Sequence, residues 1–122
     1  MEAKQIESLA TEILDFLVAN GMWVDTRIYF NGKYWDSYNA ETNEFHYNEK
    51  EVYEGIGNPK DYFDYVAEPH ILSMSFEGGF YDVMNGTSER AFKTKEKFSE
   101  ILSKYGLYYE LGNAWNLSLY EE

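Results

Sequence analysis

An amphipathic pattern opens the chain. Its apolar residues recur three or four positions apart, the spacing that places side chains on one face of an α-helix: Ile6, Leu9, Ile13, Phe16 and Leu17. Asn20 and Gly21 follow, and glycine readily adopts the left-handed conformation that ends many helices. The pattern predicts an α-helix from about residue 3 to residue 19.

The next pattern is typical of two strands joined by a tight turn, in the run MWVDTRIYF, NG, KYWDSY. Asn-Gly favours a type I′ turn, whose twist matches that of the paired strands. The two-residue turn predicts three opposite pairs: Phe30 and Lys33, Ile28 and Trp35, Arg27 and Asp36. The last pair has opposite charges, so we expect a cross-strand ion pair.

Alternation along these strands assigns two faces to the hairpin. The predicted core face carries Val24, Ile28, Phe30 and Trp35. The other face carries Trp23, Tyr29, Tyr34 and Tyr38. These rings are too large to be left bare without a reason.

The C-terminal part repeats this plan. KEKFSEILSKYG predicts a short helix that ends at Gly106, with an apolar face of Phe98, Ile101, Leu102 and Tyr105. The run LYYEL, GNA, WNLSLY predicts a hairpin with a three-residue loop and these opposite pairs: Leu111 and Trp115, Tyr109 and Leu117, Leu107 and Leu119. Aligning Gly106 with Gly21 superposes the two helix faces. This indicates an αββ duplication, with chance similarity as the alternative.

A third hairpin is predicted between these units, in the run HILSMSF, EGG, FYDVM, with Leu72, Met74 and Phe76 on its buried face. The length of 122 residues fits one domain, residues 1–122, with a modest core. We therefore predict an α+β domain in which three hairpins form an antiparallel sheet and two principal helices pack on one face.

Composition restricts the classes of partner. The formal net charge of −12 repels nucleic acid and anionic lipid and favours a basic partner. The chain has no cysteine, which excludes disulfides and thiolate chemistry. No apolar run approaches the length of a membrane span or has the layout of a signal peptide. We expect a cytoplasmic protein that does not bind membranes.

Residues 39–69, here called the acidic segment, concentrate this charge. They contain eight acidic residues against Lys50 and Lys60, so they carry −6 of the net −12. Asn58 and Pro59 are typical of a helix start, and the sequence predicts a short helix up to Pro69 with Asp61 and Asp64 on one face. The segment is interpreted as an insertion between the hairpins.

Two interpretations of the acidic segment remain open. It can be a solvated connection whose aromatic residues tether it to the domain. It can also be a binding surface, because tyrosines among carboxylates suit a partner rich in Arg and Lys. The second interpretation predicts these partner-binding residues: Glu44, Glu49, Glu51, Glu54, Asp61 and Asp64, with Tyr47, Tyr53 and Tyr62 as aromatic anchors.

The functional hypothesis is a non-catalytic protein that binds a basic protein surface. Its most specific form is an inhibitor that occupies the basic groove of a nuclease or other nucleic-acid-binding enzyme, by imitating nucleic acid as anti-restriction and anti-CRISPR proteins of phages do. That comparison is an analogy of charge and size. The alternatives are an immunity protein against a cationic toxin and, in another class, a small hydrolase or carbohydrate-binding module using Tyr and Trp of the first hairpin.

Other chemistry receives less support. EFHYNE offers Glu44, His46 and Glu49 as ligands, but their spacing matches neither a zinc helix motif nor a calcium loop, so no metal site and no cofactor are predicted. His70 is predicted to be packed or hydrogen-bonded. The basic residues 90–97 are interpreted as a solvated helix face or, alternatively, as a receptor for the acidic segment, within one chain or across a homodimer.

Overall fold

The computed structural model describes residues 1–63, 66 and 69–122. Its helices are α1 (Ala3–Ala19), α2 (Gly79–Met84) and α3 (Glu89–Ser103), and Pro59–Asp61 form one 3-10 turn. Its strands are β1 (Thr26–Phe30), β2 (Lys33–Asp36), β3 (Tyr38–Asn39), β4 (Glu44–Phe45), β5 (Tyr53–Ile56), β6 (Leu72–Phe76), β7 (Leu107–Asn113) and β8 (Asn116–Glu121).

Six strands form one sheet in the order β5-β2-β1-β6-β8-β7, and every neighbouring pair is antiparallel. Strands β3 and β4 form a separate two-stranded ribbon. The chain therefore has the predicted α+β fold. No helix in the described part of the chain is long and apolar enough to cross a membrane.

The main core lies between the helices and one face of the sheet. Every second residue of β6 points into it, namely Leu72, Met74 and Phe76, and none of the three is exposed. Phe98 of α3 is also fully buried and contacts the rings of Phe16, Phe80 and Tyr109. Removing this apolar surface from water is the main favourable contribution to stability.

A smaller core covers the opposite face of the sheet. Tyr29 and Tyr34 are buried there, and Phe63 packs edge-on against Tyr29 at 5.7 Å between ring centres. Trp115 packs against Phe63 at the same distance. The second face of the hairpin is thus covered, because the chain after β5 returns across it.

The first helix and the first hairpin match the sequence predictions. Helix α1 has the predicted bounds, and Gly21 has a left-handed φ of 67°. The three predicted cross-strand pairs of the Asn31-Gly32 hairpin are all present. Arg27 Nε donates to Asp36 Oδ2 at 2.6 Å, which confirms the ion pair.

The assignment of Trp23 to the second face is wrong. Trp23 is fully buried in the main core, whereas Val24 is only half-buried. Asp25 has a left-handed φ of 51°, and β1 begins only at Thr26. The backbone reverses its alternation at Asp25, so strand parity cannot be extended back to Trp23.

The third predicted hairpin is also wrong. Strand β6 is present, but the residues after Gly78 form helix α2. Both sides of β6 already pair, with β1 and β8, so no side is left for a hairpin partner. Phe80 and Met84, four positions apart, instead bury the same side of a helical turn. Gly78 allows the close approach, because a Cβ there would lie 2.3 Å from the carbonyl oxygen of Val24.

The C-terminal hairpin exists with a register that differs from the prediction by two residues. Leu111 pairs with Leu117, Tyr109 with Leu119 and Leu107 with Glu121, with an irregularity between Leu111 and Asn113. The Asn113 side chain accepts a hydrogen bond from the backbone of Trp115, which tightens the turn. A shift of two preserves the side-chain faces, so the predicted apolar face survives. Helix α3 also begins at Glu89, six residues before the predicted start.

The two αββ units resemble each other in local structure but differ in the order of their strands in the sheet. Gly106 has a left-handed φ of 70°, close to the 67° of Gly21, and the aligned residues Leu17 and Leu102 are both fully buried. However, the first strand after α1 lies inside the sheet next to β6, whereas the first strand after α3 lies at the edge. The two αββ units are therefore not placed in equivalent positions in the sheet.

We predict that Phe98→Ala destabilises the protein by about 3 to 5 kcal/mol, because it removes a fully buried ring and leaves a cavity among three others. Phe92→Ala on the same helix is the matched control, since Phe92 is 55% exposed. It should change the free energy of unfolding by less than about 1 kcal/mol. Urea unfolding followed by circular dichroism measures both. Equal losses would contradict the assigned core.

Candidate partner-binding surface

The β3–β4 ribbon is built by asparagine turn chemistry. The Asn39 side chain accepts hydrogen bonds from the backbone N–H groups of Glu41 and Thr42 at 3.0 and 3.3 Å. Asn43 has a left-handed φ of 62°, and its side chain accepts a hydrogen bond from the Tyr38 hydroxyl. Asparagine tolerates these conformations, which explains why the chain reverses here.

Aromatic rings run along the outside of this ribbon. Tyr38 contacts Phe45 at 4.9 Å between ring centres, and Phe45 contacts Tyr47 at 5.0 Å. Phe45 is 55% exposed and Tyr47 37% exposed. The pair therefore presents a continuous apolar surface to solvent.

The chain that leaves the ribbon is fixed to the main core. Asn48 donates its backbone N–H to the carbonyl of Trp23 at 2.9 Å, and its side chain accepts from the Trp23 N–H at 3.1 Å. His46 donates its backbone N–H to the carbonyl of Ser37 at 2.7 Å. Trp23 and Ser37 are fully buried, so the ribbon is connected at this end to a rigid part of the fold.

One carboxylate contacts the exposed rings directly. Asp25 accepts a hydrogen bond from the Tyr47 hydroxyl at 3.0 Å, and desolvation together with this carboxylate raises the pKa of Tyr47. Glu44 precedes Phe45 in β4, where successive side chains point to opposite faces of the strand. We define the ribbon surface as Asp25, Glu41, Glu44, Phe45, Tyr47, Glu49 and Glu51.

These carboxylates have no lysine or arginine partner within salt-bridge distance among the described residues. Lys50 lies between Glu49 and Glu51 in sequence, yet its ammonium lies 3.6 Å from Asp15 of α1. The negative charge of the ribbon surface is therefore not neutralised by the lysines and arginines of the described chain.

Glu54 differs from these residues. It lies in β5 on the helix side of the sheet, where its carboxylate is 3.0 Å from Lys33 Nζ and accepts from the Trp35 indole at 3.0 Å. These two contacts lower the pKa of Glu54. Its charge is thus satisfied internally, although it belongs to the acidic segment.

Tyr62, which follows Asp61 in the chain, lies on the other side of the sheet. Tyr62 is 48% exposed and covers the ring of Tyr29 at 5.6 Å. Arg27 lies 4.4 Å from the Tyr34 ring centre and 5.2 Å from that of Tyr62. Burial opposes the charge of Arg27, but hydrogen bonds with Tyr29 and Asp36 raise its pKa overall. Tyr62 therefore shields a structural ion pair.

Of the predicted helix after Asn58, the described residues form one 3-10 turn, Pro59–Asp61, and residues 64, 65, 67 and 68 lie outside the described part of the chain. The Asn58 side chain caps it by accepting the backbone N–H of Lys60 at 3.0 Å, as predicted, but the turn ends after Asp61. Asp64 lies outside the described residues. Of the remaining predicted site residues, Glu44, Tyr47, Glu49 and Glu51 belong to the ribbon surface, and Tyr53 reaches Glu41 at 3.5 Å.

Sequence reasoning missed Asp25, Glu41 and Phe45. Phe45 alternates with Tyr47 in EFHY, so a period of two within the acidic segment was a usable signal for the ribbon. Asp25 comes from a distant part of the chain, and no local pattern indicates it. His70 is hydrogen-bonded as predicted, with its Nδ1 3.1 Å from the Ser73 hydroxyl.

Comparisons with protein-family models, curated proteins and solved structures found no match for this chain.

We predict that Glu54→Gln lowers stability at pH 7 by less than about 1 kcal/mol, because the carboxylate is more than half exposed and solvent screens its attraction to Lys33. The lowered pKa of Glu54 means that its stabilisation is present above the unfolded-state value of about 4.3 and is lost as the pH falls through the folded value. The difference from wild type should therefore shrink in acid. Urea midpoints at several pH values measure it.

Glu44→Gln provides the control for that series, because Glu44 is exposed and has no cationic partner among the described residues. Its midpoint should not fall below that of wild type at pH 7. A deficit for Glu54→Gln that stays constant down to about pH 3 would show that the ion pair is not its cause.

Proposed function

We propose that this protein is a non-catalytic binding protein that docks its ribbon surface on a basic surface of another protein. In its most specific form, the partner is a nucleic-acid-handling enzyme, and the ribbon surface occupies the groove that otherwise holds nucleic acid. The inhibitor then competes with the phosphate backbone for the same lysines and arginines.

The observation that carries this proposal is the exposed Phe45–Tyr47 pair, which contacts Asp25 on a surface whose carboxylates have no lysine or arginine partner among the described residues. Aromatic residues are enriched at the centres of protein interfaces, where they bury much area at low entropic cost. Unpaired carboxylates around them attract arginine and lysine of a partner and repel acidic surfaces. A solvated connection has no need to expose two aromatic rings in contact with each other.

The charge distribution supports a partner that itself binds nucleic acid. Carboxylate oxygens of Glu49 and Glu51 lie within 4.8 Å of one another. Phosphates follow each other at about 3.4 Å of axial rise along one DNA strand. A protein groove that binds DNA therefore accommodates closely spaced anions. The net charge of −12 also accelerates encounter with a cationic groove.

The anchoring of the ribbon supports tight binding. Its exit is held by the two hydrogen bonds between Asn48 and the buried Trp23. A surface that is ordered before binding loses less conformational entropy when a partner docks. This rigidity distinguishes the ribbon surface from a disordered acidic tail.

An immunity protein is a variant of the same proposal, because a cationic toxin would bind to the same ribbon surface. The identity of the partner distinguishes an immunity protein from an inhibitor of a nucleic-acid-handling enzyme. The carbohydrate-binding alternative has no comparable observation in its favour. Trp23, Tyr29 and Tyr34 of the first hairpin are buried, so those rings offer little surface for stacking a sugar.

A matched pair of double variants tests the proposal. Glu44→Lys with Phe45→Ser changes the ribbon surface, and Glu96→Lys with Phe92→Ser makes the same exchange on α3, where both residues are exposed and Phe92 is 55% exposed like Phe45. The immobilised wild-type chain recovers its partner from a lysate of the native organism. The purified partner is then titrated with each variant and with labelled duplex DNA and RNA.

We expect the ribbon variant to bind the partner at least about tenfold more weakly, since it loses an aromatic anchor and reverses a charge. The α3 variant should bind like wild type. Wild-type binding should weaken between about 50 and 300 mM salt and should displace the labelled nucleic acid. Equal losses for both variants would refute docking through the ribbon. If the partner binds this chain and nucleic acid at the same time, the chain does not occupy the nucleic-acid groove. Docking through the ribbon surface would still stand.

A further inference from the structure

The turn after β4 brings together three metal-ligating side chains that the sequence did not group. His46 Nδ1 lies 3.7 Å from Glu49 Oε2 and 3.9 Å from Glu51 Oε2. One ligand atom from each residue lies within 4.8 Å of the other two. The sequence pattern groups His46 and Glu49 with Glu44. In the structure, the third side chain near His46 and Glu49 is that of Glu51.

The imidazole of His46 is much less exposed than the two carboxylates next to it. Its side chain is only 12% exposed, whereas Glu49 and Glu51 are 59% and 73% exposed. Both carboxylate contacts exceed hydrogen-bonding distance, and the ring has no hydrogen bond to any other described residue. A largely buried imidazole ring thus directs Nδ1 toward two exposed carboxylates, at distances too long for direct hydrogen bonds.

The two carboxylates also lack a competing cation. Lys50 separates Glu49 from Glu51 in sequence, but its ammonium is directed to Asp15 at 3.6 Å. Among the described residues, His46 is the one basic side chain within salt-bridge distance of either carboxylate. Two adjacent carboxylates in a chain of net charge −12 raise the local concentration of divalent cations.

The backbone holds the three residues in this arrangement. Asn48 has a left-handed φ of 56° and is bonded to Trp23, so the chain reverses between His46 and Glu49. The N–H of Glu49 donates to the carbonyl of His46 at 3.4 Å, which closes the turn. Little further ordering is needed for the three side chains to meet one ion.

We propose that His46, Glu49 and Glu51 bind one Zn²⁺ ion. One imidazole and two carboxylates suit zinc, whereas calcium and magnesium prefer sites made of oxygen ligands alone. The gaps of 3.7 and 3.9 Å are close to the separation of about 3.4 Å between ligands at about 2.1 Å around a tetrahedral ion. Three protein ligands leave the fourth position to water. The site shares Glu49 and Glu51 with the ribbon surface, but zinc binding is measured on this chain alone, so its test is separate from that of the proposed function.

Calorimetric titration of the full chain with ZnCl₂ tests this site, with MgCl₂ and CaCl₂ as comparisons. We expect one saturable zinc site in the wild type and binding more than about tenfold weaker in His46→Gln and in Glu51→Gln. Glu44→Gln removes the same charge two residues from His46 and should bind zinc like wild type. All three positions are outside the main core, so each variant should fold.

Nitrogen NMR of the two histidines supplies an independent readout, since the chain has only His46 and His70. Zinc should shift the Nδ1 resonance of His46 and leave His70 unchanged. The proposal is overturned if no saturable zinc binding occurs or if His70 shifts instead. It is also overturned if Glu44→Gln weakens binding as much as His46→Gln, which would indicate unspecific attraction to the acidic surface.

Discussion

Strand β6 is the constraint on which the rest of the structure depends, because it alone joins the two hairpins into one sheet. It pairs with β1 on one side and with β8 on the other. Its alternate residues fill the main core, while the Ser73 hydroxyl reaches the Ser118 hydroxyl at 2.7 Å on the second face. With both sides of β6 occupied, the following residues must leave the sheet, and they form the helices that cover the core.

Local sequence patterns were sufficient to predict the helices and turns whose conformation depends on neighbouring residues in the chain. The Asn31-Gly32 turn fixed the register of the first hairpin, and helical periodicity located α1 and the buried face of α3. Predictions failed where a distant residue decided the outcome. FYDVM is compatible with a strand or a helix, and only the occupied sides of β6 exclude the strand. Trp23 follows strand alternation in the sequence, but the left-handed Asp25 interrupts it.

The candidate site shows the same division. Net charge and aromatic content located the acidic segment, and several of its predicted residues do share the ribbon surface. Whether a carboxylate is free or satisfied depends on its neighbours in space. Glu44 and Glu54 are alike in sequence terms, yet Glu54 meets Lys33 and Trp35 from the adjacent strand. Lys50 would be expected to neutralise Glu49 and Glu51, but it reaches α1 instead. Composition carries no information about such pairings.

The antiparallel pairing of β1 with β6 has a consequence for how the chain folds. The hairpin of β1 and β2 closes a turn of two residues and can form within microseconds. Pairing Ile28 with Met74 requires closure of a loop of about 45 residues, which includes the whole acidic segment. Repulsion among its carboxylates expands that loop in the unfolded chain, so salt should accelerate folding by making closure easier. The surface that gives the folded protein its charge therefore also limits how fast the protein reaches its fold.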